Sequence, residues 1–162
     1  MKITGSSIKH HKLRGEWAEL RFMARAAEHG LCINKPWGDN SRYDFALEHA
    51  GKFLRMQIKS TTVRTGRSYI CNLRANNQFY TGKEIDFVAA YIVSKNIWYI
   101  FPFDVVAKSG SVVLSPHLKT SKYGPYQEAW HLLRCEKGPE PGVEPTKKTL
   151  SRDQQLSEPS GR

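Results

Sequence analysis

The stretch Phe53-Leu54-Arg55-Met56-Gln57-Ile58-Lys59 decides how this chain is read. Side chains of a strand point alternately to its two faces. Leu54, Met56 and Ile58 therefore share one face, and Arg55, Gln57 and Lys59 share the other. The first row asks for a core; the second faces solvent or a working surface. Upstream, residues 43–48 read as a second strand, joined to the first by His49-Ala50-Gly51-Lys52, a four-residue hairpin loop containing Gly. That hairpin sets Asp44 beside Gln57, with Lys59 two residues further along the same face. A carboxylate, an amide oxygen and an ammonium gathered in this way make a hard-cation site next to a water-activating amine.

Moving toward the N-terminus, Leu13, Trp17, Leu20, Ala24 and Ala27 recur at helical spacing and predict a helix over residues 9–29, with Gly30 just past its end. Glu16 falls in the arc of Leu13 and Leu20. It is either a carboxylate turned toward the core and approaching Asp44, or a flank or capping residue. Residues 31–35 read as an edge strand stopped by Pro36, and Trp37-Gly38-Asp39-Asn40-Ser41 as a turn-forming loop. Moving toward the C-terminus, residues 68–73 read as the third strand of the meander. Residues 87–93 and 97–101 read as a hairpin turning at Ser94-Lys95-Asn96. Pro102 ends it, and a short helical turn follows over 103–107. Gly124-Pro125 opens a C-terminal helix through Arg134. The order of elements defines an α/β domain with an N-terminal helix, a mixed and largely antiparallel sheet, and a C-terminal helix.

The 162 residues suit one domain with a tail. We place the domain at residues 1–136. Residues 137–162 hold four prolines, mixed charges and few aliphatic side chains, the composition of a disordered tail. Lys and Arg number 25 against 15 Asp and Glu, a formal charge of +10 that favours a polyanionic partner such as double-stranded DNA. Between His49 and Lys83 there is no acidic residue, while Lys52, Arg55, Lys59, Arg64, Arg67 and Arg74 fall there among Phe53, Tyr69, Phe79 and Tyr80. No apolar run reaches the ~18–20 residues of a membrane span. Three cysteines without a CxxC pair, and a basic N-terminus without an apolar signal stretch, point to a reduced, cytoplasmic protein. Walker A, GxGxxG, GxSxG and HExxH patterns are missing from the sequence, which removes the corresponding nucleotide, acyl-hydrolase and zincin readings.

Five ordered blocks now matter together: Gly15-Glu16; Trp37-Gly38-Asp39-Asn40; Arg42-Tyr43-Asp44; residues 54–59; and Tyr80-Thr81-Gly82-Lys83-Glu84-Ile85-Asp86-Phe87. They resemble the PD-(D/E)XK nuclease core, which is restriction-endonuclease-like. More closely than the general core, they resemble the branch of group I intron homing endonucleases and their stand-alone bacterial relatives. It covers about residues 9–106. It implies a Mg²⁺-dependent DNA endonuclease, with Mn²⁺ as a substitute, that leaves 5′-phosphate ends. It further implies that Asp44, the Gln57 amide oxygen and the Ile58 backbone carbonyl hold the ion. Lys59 then positions or deprotonates the attacking water, and Glu16 holds a water on the ion. Two departures stand out. Tyr43 replaces the motif's Pro, which is not a ligand, and Gln57 replaces its second acidic residue. Asp44 and Glu16 against Lys59 leave enough negative charge for one divalent ion, which favours single-metal hydrolysis.

Arg55 on the site's own face, together with Lys52, Arg64, Arg67 and Arg74, are the expected nucleic-acid contacts. Asp86 is expected to bond a turn at its strand end. A two-fold duplex site implies a homo-oligomer, a dimer or tetramer. Two rivals remain on the same core: a structure-selective nuclease of the Holliday junction resolvase type, and a catalytically silent DNA-binding protein, which Gln57 keeps in play.

Overall fold

The structure is a computed structural model that describes residues 5–134 other than 39, 50 and 76; the side chains of residues 6 and 49 are also left out. The expected domain boundary and tail at 136/137 lie outside the described residues. The elements run α1 (His11–Glu28), β1 (Cys32–Asn34), β2 (Phe45–His49), β3 (Lys52–Thr61), β4 (Arg64–Thr65), β5 (Ser68–Asn72), β6 (Phe87–Ile92), β7 (Ile97–Pro102), α2 (Phe103–Val106) and β8 (Ser111–Leu114). β1, β2, β3, β6 and β7 form a five-stranded sheet in that order, and β4, β5 and β8 form a second, three-stranded sheet. Every neighbouring pair in the larger sheet is antiparallel except β3 with β6. The mixed, largely antiparallel α/β architecture is therefore the one expected.

Period-two patterning separates two cores across the larger sheet. Phe45, Leu47, Met56, Ile58, Tyr91, Trp98 and Ile100 point to α1 and form one buried cluster with Ala18, Phe22 and Trp130. Val88, Ala90, Ile92, Tyr99 and Phe101 point the other way and pack with Tyr69, Cys71, Val112 and Leu114 of the smaller sheet. Phe22 anchors the helix, with ring centroids 5.5 Å from both Trp98 and Trp130. β3 thus lies between two hydrophobic layers, and its position is over-determined.

Four sequence expectations change. The helix forms, with Gly30 at φ +71° past its end, but its core face is Ala18, Phe22 and Ala26, while Leu13 and Leu20 are 53% and 63% exposed. Both sides of α1 carry apolar residues, and docking of Phe22 under β2 chose the other arc. The β2–β3 hairpin is tighter than a four-residue loop, because His49 pairs with Lys52 and Gly51 turns the chain at φ +74°. β5 is not the third meander strand: it joins β8, and the free edge of β3 takes β6 in parallel. Thr61 ties the two sheets, its Oγ1 donating to the Ile70 carbonyl at 2.6 Å and accepting from Val63 N–H at 3.0 Å. Finally, the C-terminal helix is two 3₁₀ turns, Gly124–Tyr126 and Trp130–Leu133. Between them Gln127 bridges to Tyr99 and Glu128 adopts φ +51°, which a continuous helix forbids. Glu128 compensates by accepting from Trp98 N–H at 2.7 Å and Trp130 Nε1–H at 2.8 Å.

Candidate active site

Asp44 sits where β2 begins to pair. Its N–H donates to the Met56 carbonyl at 2.8 Å, but the chain before it bends away, so no backbone carbonyl is left for Ile58 N–H. The Asp44 carboxylate takes that place. Its Oδ2 accepts from Ile58 N–H at 2.6 Å and from Gln57 Nε2 at 2.7 Å. Gln57 is buried, and its Nε2 also lies 3.4 Å from the Ile58 carbonyl. Asp44, Gln57 and the Ile58 carbonyl are therefore gathered at one point, as their spacing on the hairpin requires.

Burial pushes the Asp44 carboxyl up to about 6 from 3.8; the Ile58 N–H opposes this, the charge of Glu19 adds to it, and Lys59 and Gln57 oppose it. Such a carboxylate lacks a full counter-charge. Lys59 lies on the same face, and burial is the main cause lowering its ammonium pKa, against the pull of Asp44. Its Nζ donates to Tyr80 Oη at 3.1 Å and to the Arg74 carbonyl at 3.2 Å, and lies 5.1 Å from the Tyr80 ring centroid. Two of its three N–H donors are thus used, and the third is available to water or phosphate. Burial also pushes the Tyr80 phenol up to about 12, so it stays protonated at neutral pH.

The helix carboxylate at the site is Glu19, not Glu16. Glu16 is exposed, whereas Glu19 is half-buried, acts on Asp44 and is held by Lys35 at 3.0 Å. The signal was present in the sequence: Glu19 lies on the arc of Ala18, Phe22 and Ala26, so the argument applied to Glu16 selects Glu19 once the core arc is correct.

Arg55 also departs from its expected role. Its Nε and Nη2 donate to the two Asp86 oxygens at 2.9 and 2.8 Å. Nη2 further donates to the Gly82 carbonyl at 3.0 Å, and Nη1 to that of Lys83. With four of its five N–H donors used within the protein, Arg55 clamps the 82–86 turn. The Asp86 side chain therefore bonds Arg55 of β3 and not the turn expected of it, accepting from the Arg55 N–H at 2.8 Å as well as from the guanidinium. The Arg55 hydrogen bond is the largest cause holding the Asp86 carboxyl below the usual range, so this pair contributes stability above about pH 4 that is lost as pH falls through the lowered value. Asp86→Ala is expected to lower stability by roughly 1–2 kcal/mol at pH 7, in urea titration, and by less near pH 3. Lys52, Arg64 and Arg67 are exposed, and Arg64 donates to the Gly66 carbonyl at 2.7 Å.

Among the described residues no group of three His, Cys, Asp or Glu side chains is gathered to hold a metal. The groups on hand are the Asp44 carboxylate, the Ile58 carbonyl and the Gln57 amide, whose Nε2 faces both of them and whose oxygen would face an ion once the amide turned over. That set fits a single Mg²⁺ or Mn²⁺ that keeps several of its waters, and does not fit a fully protein-ligated ion. Among the described residues no helix is long and apolar enough to cross a membrane.

A sheet with a hairpin-borne Asp-Gln-Lys cluster, flanked by a helix carboxylate, defines the nuclease class, and the PD-(D/E)XK endonuclease family model matches residues 9–133; the chain belongs to that family. Among solved structures it is similar to a bacterial homing endonuclease, I-Ssp6803I, at 29% identity and TM-score 0.65, over 76% of this chain and 91% of that one. Searching the curated proteins returns no match.

Proposed function

We propose that the protein is a divalent-cation-dependent DNA endonuclease acting on duplex sites, in the manner of homing endonucleases. The observation that carries this reading is Asp44, a buried carboxylate hydrogen-bonded to Gln57 and Ile58 and raised toward neutrality, on the face that Lys59 shares. Asp44, the Gln57 amide oxygen and the Ile58 carbonyl would hold one Mg²⁺, with Mn²⁺ as substitute. When bound, the ion supplies positive charge to the scissile phosphate. As the ammonium, Lys59 would orient the attacking water with its third N–H; as the neutral amine, whose share burial increases, it would instead turn its lone pair to that water and take its proton. Tyr80 and the Arg74 carbonyl fix the direction of Lys59, and Glu19 orients water from the helix side. Hydrolysis breaks the bond to the 3′ oxygen and leaves a 5′-phosphate. A two-fold duplex target calls for a symmetric oligomer.

The test is incubation of supercoiled and linear DNA with the protein in Mg²⁺ or in EDTA. Nicking or cutting is expected with Mg²⁺ alone, and Lys59→Ala is expected to reduce it by about 10²- to 10³-fold with DNA binding retained. Cleavage in EDTA, or undiminished cleavage by the variant, contradicts the proposal. Binding without any cleavage selects the catalytically silent reading. Cleavage confined to four-way junctions selects the resolvase-like one.

A further inference from the structure

Arg74 is held like no other arginine of the described chain. The Phe79 ring covers its guanidinium at 4.6 Å, and a methyl built on Gly110 would lie 2.6 Å from its Nε and Nη2. The group is therefore wedged between an aromatic face and a glycine backbone. Other arginines spend their donors internally: Arg55 on Asp86, Arg42 on Glu84, Arg21 on Asn96, Arg64 on Gly66. The Arg74 guanidinium donates to no protein acceptor among the described residues, so contact with Phe79 and Gly110 restricts its orientation while its exposed N–H edge stays free. Beside it opens a concavity of about 430 Å³, lined by Ile70, Asn72, Arg74, Asn77, Gly110 and Ser111. Asn72 is oriented by accepting from Arg74 N–H at 2.9 Å, and Asn77 is turned by φ +64°. The same Arg74 carbonyl accepts from the Lys59 ammonium, and Tyr80, at the far end of this loop, also accepts from it.

A guanidinium fork suits a phosphate as well as a base edge, whereas carboxamides beside it have hydrogen-bonding edges that match bases, so the neighbours of Arg74 decide between the two. A planar fork restricted in orientation, flanked by carboxamides, matches base edges: Arg to guanine O6 and N7, Asn to adenine. Immobilising the side chain on folding also removes an entropic cost from binding. We propose that Arg74, wedged by Phe79 and Gly110 and flanked by Asn72 and Asn77, reads base edges of duplex DNA next to the phosphate served by Lys59. Arg74 contacts a guanine; Asn72 and Asn77 contact its neighbours. The inference rests on the reading of the protein as a DNA endonuclease and assigns the element that chooses the sequence.

The experiment selects duplexes from a randomised 30-bp library with the full chain in EDTA, so that no cleavage is required, and compares wild type with Arg74→Lys, Arg74→Ala and Gly110→Ala. Wild type is expected to enrich a site containing a guanine that Arg74→Lys no longer prefers, with at least a tenfold loss of discrimination there. Nonspecific affinity and its salt slope should be unchanged in Arg74→Lys. Gly110→Ala keeps the arginine but displaces its plane, and should lose the same preference. Thermal midpoints within a few degrees of wild type establish that the variants fold; if Arg74→Ala fails this, the lysine and Gly110 variants carry the result. A wild type without sequence preference overturns the proposal, and so does an unchanged preference in Arg74→Lys and Gly110→Ala. A salt slope that falls by about one in Arg74→Ala with preference intact makes Arg74 a phosphate contact and also overturns it. Because selection proceeds without cleavage, these failures leave the nuclease reading standing; loss of Mg²⁺-dependent cleavage with preference retained sinks that reading alone.

Discussion

Asp44→Asn is expected to abolish cleavage while making the metal-free protein more stable at neutral pH. The two effects have one cause. Burial raises the Asp44 carboxyl from 3.8 to about 6, so between those values the folded chain binds a proton that the unfolded chain does not. The ionised carboxylate therefore costs stability, fully above pH 6 and not at all below about pH 4. A shift of roughly two units corresponds to about 2–3 kcal/mol. Asn keeps the shape, and its Oδ1 still accepts from Ile58 N–H and Gln57 Nε2, which now bond Asp44 at 2.6 and 2.7 Å. Unfolding in EDTA should show the variant about 2 kcal/mol more stable at pH 7.5 and level with wild type near pH 4. Cleavage should fall by at least ~10³-fold, because the carboxylate that bonds Gln57 and Ile58 is gone. A variant that cuts, or that is less stable at pH 7.5, contradicts the role given to this residue.

Gln57→Glu should act in the opposite sense. The present amide places a donor, Nε2, 2.7 Å from Asp44 Oδ2 inside a buried site. A carboxylate there would face Asp44 directly, and two such groups cannot both stay ionised without a cation between them. The metal-free variant is expected to lose roughly 2–4 kcal/mol at pH 7.5 and to regain it as Mn²⁺ or Mg²⁺ is added, with cation affinity raised at least ~10-fold over wild type. Thermal midpoints measured against cation concentration read both effects. Equal stability and equal cation response in the two proteins would mean that Gln57 does not face the ion. On the proposed reading, the neutral amide would trade cation affinity for a site that tolerates being empty.

How far the sequence carried this account follows from which contacts are local. Asp44, Gln57, Ile58 and Lys59 were legible because a tight hairpin and period-two alternation fix them within sixteen residues. Arg55 was misread because its partner Asp86 arrives only when β6 pairs with β3 in parallel, across a connection that alternation cannot foresee. The same crossover moved β5 out of the meander. Glu19 was missed for a different reason: α1 has apolar residues on opposite arcs, and only the docking of Phe22 against Phe45 and Trp98 decides which is buried. The C-terminal helix failed at Gln127 and Glu128, where bonds to β7 outweigh helical propensity.

The central claim is that one cation-binding point is made by Asp44, Gln57 and the Ile58 carbonyl. Electron paramagnetic resonance titration of Mn²⁺ into the full chain and into Asp44→Asn counts bound ions directly. One ion per chain in wild type and none in the variant is the predicted result; equal uptake by both proteins would contradict it.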